Sequence, residues 1–125
     1  MEGYSAIVRD HFENPRNVGE LAAPDGVARQ TNPVCGDEIQ LMLRVNDGKI
    51  ADARFLINGC PASIAASSIC TEMIIGRPLE EAEQLRKEEI VEALGGLPPS
   101  KLHGSVLAVE ALRKAIADYR QRRAV

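Results

Sequence analysis

Two cysteines, an aspartate and a histidine stand where this chain can present side chains to a ligand. Cys35 lies between Pro33 and Gly36 in a turn-rich stretch, Asn32-Pro33-Val34-Cys35-Gly36-Asp37, and Asp37 opens the alternating segment that follows. Cys60 precedes Pro61. Proline suits the first position of a helix, so the Cys60 thiol sits where unpaired N–H groups favour a thiolate. His103 follows Leu97-Pro98-Pro99-Ser100-Lys101-Leu102, at the start of the longest helical pattern in the chain. The positive end of that helix dipole disfavours imidazolium and leaves a neutral ring able to ligate a metal. Two soft thiolates, an imidazole and a carboxylate suit zinc or an iron–sulfur unit. Spacing alone leaves alternatives open. There is no C-x-x-C pair, and scattered core cysteines fit the same count. A thiol hydrolase, with Cys60 as nucleophile and His103 as base oriented by Asp37, uses the same residue types, but no oxyanion motif accompanies them.

The elements that must position these groups are legible in outline. Tyr4, Ile7, Val8, His11 and Phe12 fall at helical spacing, which predicts a short amphipathic helix over residues 4–12 ended by Asn14-Pro15. His11 shares its apolar stripe and reads as a packing histidine rather than a ligand. Residues 16–26 read as a loop and residues 27–32 as a short strand. Ile39, Leu41, Leu43 and Val45 alternate with Glu38, Gln40, Met42 and Arg44, and Asp47-Gly48 supplies a tight hairpin turn. The return strand places Ala51, Ala53, Phe55 and Ile57 on one face, opposite Asp52 and Arg54, so an antiparallel meander with one buried face is expected.

After Cys60, residues 61–75 are rich in Ala, Ser and Ile, suiting a closely packed helix closed by Gly76-Arg77-Pro78. Cys70 lies ten residues past Cys60 on that helix, roughly 15 Å along its axis, so the two cannot share one metal atom. It reads as a small buried hydrophobe. Residues 80–85 and 87–94 form two short acidic helical pieces with solvated glutamates, the second ended by Gly95-Gly96. The two prolines at 98 and 99 lead into a stripe of Leu102, Val106, Val109, Leu112, Ile116 and Tyr119, and Arg120, Arg122 and Arg123 complement the far end of this helix. The fold class expected is α+β, a small three-stranded antiparallel sheet packed against helices with a long C-terminal helix, in one domain over residues 1–125.

Composition narrows the function. Apolar residues make up 45% of the 125 and charged residues 26%, as in a soluble globular protein. Aromatic residues are only 3%, so base-stacking platforms are not expected, and a net charge of −3 argues against phosphate-driven nucleic-acid binding. No apolar run approaches the roughly 18 residues of a membrane span, and no basic-then-apolar leader is visible. A cytoplasmic setting is expected, where three cysteines serve as ligands, nucleophiles or core residues before they serve as disulfides.

Four segments then fall in register with a known family. His11-Phe12-Glu13-Asn14-Pro15-Arg16-Asn17-Val18-Gly19, Asn32-Pro33-Val34-Cys35-Gly36-Asp37, Asn58-Gly59-Cys60 and Leu97-Pro98-Pro99-Ser100-Lys101-Leu102-His103 occur in order and at suitable intervals. Together they resemble the IscU/NifU-type iron–sulfur cluster assembly scaffolds, from about Tyr4 to Tyr119. The resemblance implies an α+β scaffold, not an enzyme. Such a scaffold receives sulfur from a cysteine desulfurase, builds a [2Fe–2S] cluster from iron, and hands it to apo acceptor proteins, with a frataxin-like protein as a further partner. It implies ligation by Cys35, Asp37, Cys60 and His103. The family's remaining cysteine, the usual persulfide acceptor, directly follows the histidine, and here that residue is Gly104. Altered sulfur delivery is the expectation, with a zinc- or iron-binding partner or regulatory subunit as the alternative. The family's Leu-Pro-Pro-Val-Lys segment is read by an Hsp70-type chaperone. Leu97 to Lys101 matches it except that Ser100 replaces the valine.

Overall fold

The computed structural model describes residues 3–123, so both ends of the expected domain lie outside the described residues. Elements follow in the order α1 (Ala6–Glu13), β1 (Gly26–Thr31), β2 (Glu38–Asn46), β3 (Lys49–Asn58), α2 (Pro61–Ile74), α3 (Leu79–Glu83), α4 (Lys87–Ala93), a 3-10 turn (Pro99–Lys101) and α5 (His103–Arg123). The strands form one antiparallel sheet in the order β1-β2-β3, and α2 and α5 pack against it. This is the α+β architecture the sequence predicts. Among the described residues, no helix is long and apolar enough to cross a membrane.

The β2–β3 hairpin closes through Asp47 and Gly48, whose φ values of 55° and 72° belong to the primed turn that suits strand twist. The register then departs from simple alternation. An irregularity between Arg44 and Val45 pairs Val45 with Ile50 and Arg44 with Asp52. One extra residue therefore turns Ile50 inward, fully buried, and leaves Ala51 exposed, the reverse of the expected face for Ala51. The sheet is also not buried on one face alone, because Met42, on the opposite side from Leu41 and Leu43, is 3% exposed.

Both outer strands have their edges covered. Asn17 and Gly19 exchange backbone hydrogen bonds with Phe55 on the free edge of β3. On the far side, the Asp118 carboxylate of α5 accepts the Val27 N–H of β1 at 2.9 Å. Covered edges deny a template to other chains.

The core is aliphatic, as the scarcity of aromatics requires. Val8, Ile39, Leu41, Leu43, Phe55, Ile74, Leu85, Leu94, Leu112 and Ile116 are all buried, with the alanines of α2 and α5 between them. Small residues let α2 lie close to α1 and α5. The last helix starts at His103, and Leu102 stands just outside it, 42% exposed instead of in the buried stripe. The 3-10 turn rotates Leu102 outward, and the inward stripe begins with Ser105 and Leu107.

His11 is buried, 5% exposed, and its Nδ1 lies 2.8 Å from Ser68 Oγ, which also accepts the Arg16 N–H. Its Nε2 faces Glu72 at 3.5 Å. A proton on Nε2 satisfies this whole set, with Ser68 donating to Nδ1. Burial, with Arg16 adding to it, lowers the His11 pKa below its ordinary 6.5, outweighing Glu72 and Asp10. The ring is then neutral when folded and more readily protonated when unfolded. Its contribution to stability is complete above pH 6.5 and declines as pH falls toward the folded value. In wild-type protein the unfolding temperature should fall on acidification below that pH. His11→Gln should lose about 1 kcal/mol at neutral pH and show a flatter acid limb. An unchanged acid limb in the variant would assign the pH dependence to other groups.

Candidate metal centre

The topology gathers the four sequence-predicted residues at one end of the sheet. The β1–β2 connection holds Cys35 and delivers Asp37 to the first turn of β2. β3 runs back to the same end, because Glu38 pairs with Asn58, and the chain then passes through Gly59 to Cys60. Cys60 is the N-cap of α2, with Pro61 at the first helical position, as its sequence context predicts. His103 arrives from the opposite direction as the first residue of α5.

The connection bearing Cys35 is locally stapled. Asn32 Oδ1 accepts the Val34 N–H at 2.9 Å, Gly36 N–H donates to Asn32 O at 2.8 Å, and Asn32 N–H donates to Asp37 O at 2.8 Å. Cys35 is exposed and its neighbour Val34 is 95% exposed. Asp37 by contrast is 6% exposed and packs over Gly59. A Cβ on residue 59 would stand 2.9 Å from Asp37 Cγ, so only glycine lets the carboxylate lie there.

One oxygen of that carboxylate is the hub. Asp37 Oδ2 accepts the Ser63 hydroxyl at 2.5 Å and the Cys60 N–H at 3.4 Å, and faces His103 Nε2 at 3.5 Å. Burial alone would raise the Asp37 carboxyl. Hydrogen bonds from Ser63, from the side chain and backbone of Cys60, and from Cys35 outweigh it and hold the pKa below its ordinary 3.8. His103 Nε2 also lies 3.5 Å from Cys60 Sγ. Cys35, Asp37 and His103 each bring a ligand atom within 4.8 Å of the other two, and the Cys60 sulfur stands beside this trio.

Cys70 lies elsewhere, buried in the middle of α2, and burial pushes its thiol up to about 12. It is a core residue, as expected. Ser63, fully buried and in contact with both Asp37 and Cys60, escaped the sequence reading. Its signal was present, since it stands three residues after an N-cap, where side chains reach back to the cap.

Gly104 fills a packing role. A Cβ there would stand 3.0 Å from the backbone of Ala62 and Ser63, so the first turns of α5 and α2 meet at a glycine contact.

Comparison with known proteins agrees with this architecture. Residues 3–125 match the NifU-like N terminal domain family. The chain is 51% identical to the iron–sulfur cluster assembly scaffold protein IscU 1 of Archaeoglobus fulgidus over 116 residues, 93% of this chain and 76% of that one. It is 47% identical to the scaffold protein IscU of Escherichia coli K12, covering 96% of each. In three dimensions it resembles the crystal structure of a putative SUF-system scaffold protein from Fervidobacterium islandicum, with a TM-score of 0.76 over 90% of this chain and 96% of that one. At 23% identity, this last likeness bears on the fold alone. On the family match over residues 3–125 and the 51% identity over 116 residues, the chain belongs to the IscU/NifU N-terminal domain family of iron–sulfur cluster assembly scaffolds.

Proposed function

We propose that this protein, as one domain spanning its 125 residues, is an iron–sulfur cluster scaffold. It binds a [2Fe–2S] cluster or its iron precursor through Cys35, Asp37, Cys60 and His103 and passes it to acceptor proteins. Cluster and iron are its cargo. The observation that carries this reading is the convergence of three distant chain segments, with His103 Nε2 3.5 Å from both Asp37 Oδ2 and Cys60 Sγ. The donor set of two sulfurs, one imidazole and one carboxylate is chemically apt, since mixed Cys and His ligation of two-iron units occurs.

The same spacing favours a second reading at the metal-free stage. Ligands at the bond lengths usual for tetrahedral zinc stand roughly 3.5 Å apart, and both His103 contacts have that length. Cys35, Asp37 and His103 each bring a ligand atom within 4.8 Å of the other two, and Cys60 adds its 3.5 Å contact with His103, so a single Zn²⁺ or Fe²⁺ would draw the four groups closer together. We read the ion-sized geometry as the precursor state, with a zinc- or iron-binding regulatory subunit as the alternative function.

Sulfur delivery follows a different route in this proposal. Gly104 offers no thiol, and Cys70 is enclosed. Sulfur arriving on a cysteine desulfurase meets Cys35 first, because it is the exposed thiol of the three. Thiolate attack by Cys35 on the sulfane sulfur of a desulfurase persulfide moves that sulfur to Cys35 and releases the desulfurase thiolate. The other expected partners remain a frataxin-like protein, apo acceptors and an Hsp70-type chaperone reading Leu97 to Lys101. In that segment Leu97 packs against the core while Pro99 and Ser100 are exposed in the 3-10 turn, so docking as an extended peptide would require that turn to open.

Three measurements test these assignments. Anaerobic reconstitution with iron and sulfide should give visible charge-transfer bands that Cys35→Ser and Cys60→Ser abolish. A colourless protein retaining one equivalent of zinc would instead favour the alternative function. Iodoacetamide under native conditions should label Cys35 first, Cys60 more slowly, and Cys70 only after denaturation. Peptide mass spectrometry reads the order, and early labelling of Cys70 would contradict the burial argument. Gly104→Cys should tighten cluster retention and speed persulfide-dependent assembly. It should also lower the unfolding temperature, because overpacking at the α2–α5 contact costs about 1–3 kcal/mol. Unaltered assembly and retention would refute the role given to the missing thiol.

A further inference from the structure

We propose that Ser63 is a positioning residue for this site, holding the Asp37 carboxylate in one geometry and thereby setting the affinity for a divalent cation. The inference rests on the ligand assignment above.

Ser63 is surrounded by residues that make its hydroxyl conspicuous. Ala62, Ala65 and Ala66 on the same helix are fully buried, and so is Ser63. An alanine would fill this position equally well if packing were the whole requirement. A buried hydroxyl without a partner is costly, and here the partners are two candidate ligands. Ser63 Oγ lies 2.5 Å from Asp37 Oδ2 and 3.4 Å from Cys60 Sγ. A hydroxyl has one proton, and the shorter contact takes it, so Ser63 donates to the carboxylate and bonds the Cys60 sulfur only while that thiol keeps its own proton to donate.

The backbone of this serine is held on two sides. Its carbonyl accepts the Ser67 hydroxyl at 2.8 Å, fixing the first turn of α2. The first turn of α5 closes over it at Gly104, where an added Cβ would stand 3.0 Å from Ser63 Cα. The hydroxyl points at Asp37 Oδ2, the shorter of its two contacts. With Ser63 in place, a buried carboxylate that would otherwise rotate over Gly59 keeps one oxygen toward His103. Hydrogen-bonded outer partners of this kind typically set metal affinity by about 10- to 100-fold.

Co²⁺ titration of the full chain tests this, using the d–d bands and the sulfur-to-cobalt charge-transfer band, with affinity from chelator competition. Ser63→Ala should bind Co²⁺ about tenfold more weakly or worse and shift the d–d bands. In an Asp37→Ala background the same change should add nothing. Ser68→Ala, which removes a buried hydroxyl bonded to His11 and Arg16 instead of to the site, should bind as wild type does. Wild-type affinity in Ser63→Ala, or an equal loss with and without Asp37, would overturn the positioning role. The ligand assignment fails separately, if wild type gives no charge-transfer band or if Asp37→Ala and Cys60→Ser bind cobalt unchanged. Should Ser63→Ala not fold, NMR of wild type decides. The Ser63 hydroxyl proton should be protected from exchange and should shift on Zn²⁺ addition, and an unshifted resonance would count against the proposal.

Discussion

The structure turns on a single carboxylate oxygen. Asp37 belongs to the sheet, Cys60 and Ser63 to α2, and His103 to α5, and the three elements meet at Asp37 Oδ2. Burying a carboxylate is costly unless it is hydrogen-bonded, and the protein meets that cost with donors drawn from the next strand end and helix. Gly59 and Gly104 serve the same constraint by a different means. The first clears the space the carboxylate occupies, and the second lets α5 approach α2 closely enough for His103 to face it. Candidate site and fold are thus one arrangement, since the contact that gathers Asp37, Cys60 and His103 lies where the two main helices begin.

The small-residue character of α2 follows from its surroundings. It is flanked by α1 and α5 and backed by the sheet, so a helix with one apolar stripe would not fit. Alanines, serines and isoleucines are buried around most of its circumference. The serines are not idle filler. Ser68 bonds His11 and Arg16, Ser67 bonds backbone, and Ser63 bonds Asp37, so one helix ties the N-terminal segment, itself and the candidate metal centre together.

Much of this was legible in the chain. Period-2 alternation with Asp47-Gly48 gave the hairpin, and Pro61 and Gly76 bracketed α2, because these signals arise from local backbone chemistry. The candidate ligands were legible as residue types at element ends, and the resemblance to scaffolds supplied their grouping. What could not be read was set by long-range packing. The irregularity at Arg44 and Val45, which exchanges the faces of Ile50 and Ala51, depends on how β2 bends over the helices. Leu102 fits the α5 stripe on paper and is turned out by a 3-10 turn whose geometry the two prolines dictate. Ser63 and Gly104 gain their meaning only when α2 and α5 are brought together.

The covering of β3 by the N-terminal segment has a consequence for how the chain fares before it is complete. Phe55 is bonded on its free side by Asn17 and Gly19, residues that also bind α2 and Arg54 through Asn17. That strap is synthesised before the strand it covers, so it is at hand when the hairpin forms. Removing it, by cleavage or by a start beyond Gly19, would bare the N–H and C=O of Phe55 partway along a ten-residue strand, the sort of margin along which sheets from separate molecules zip together.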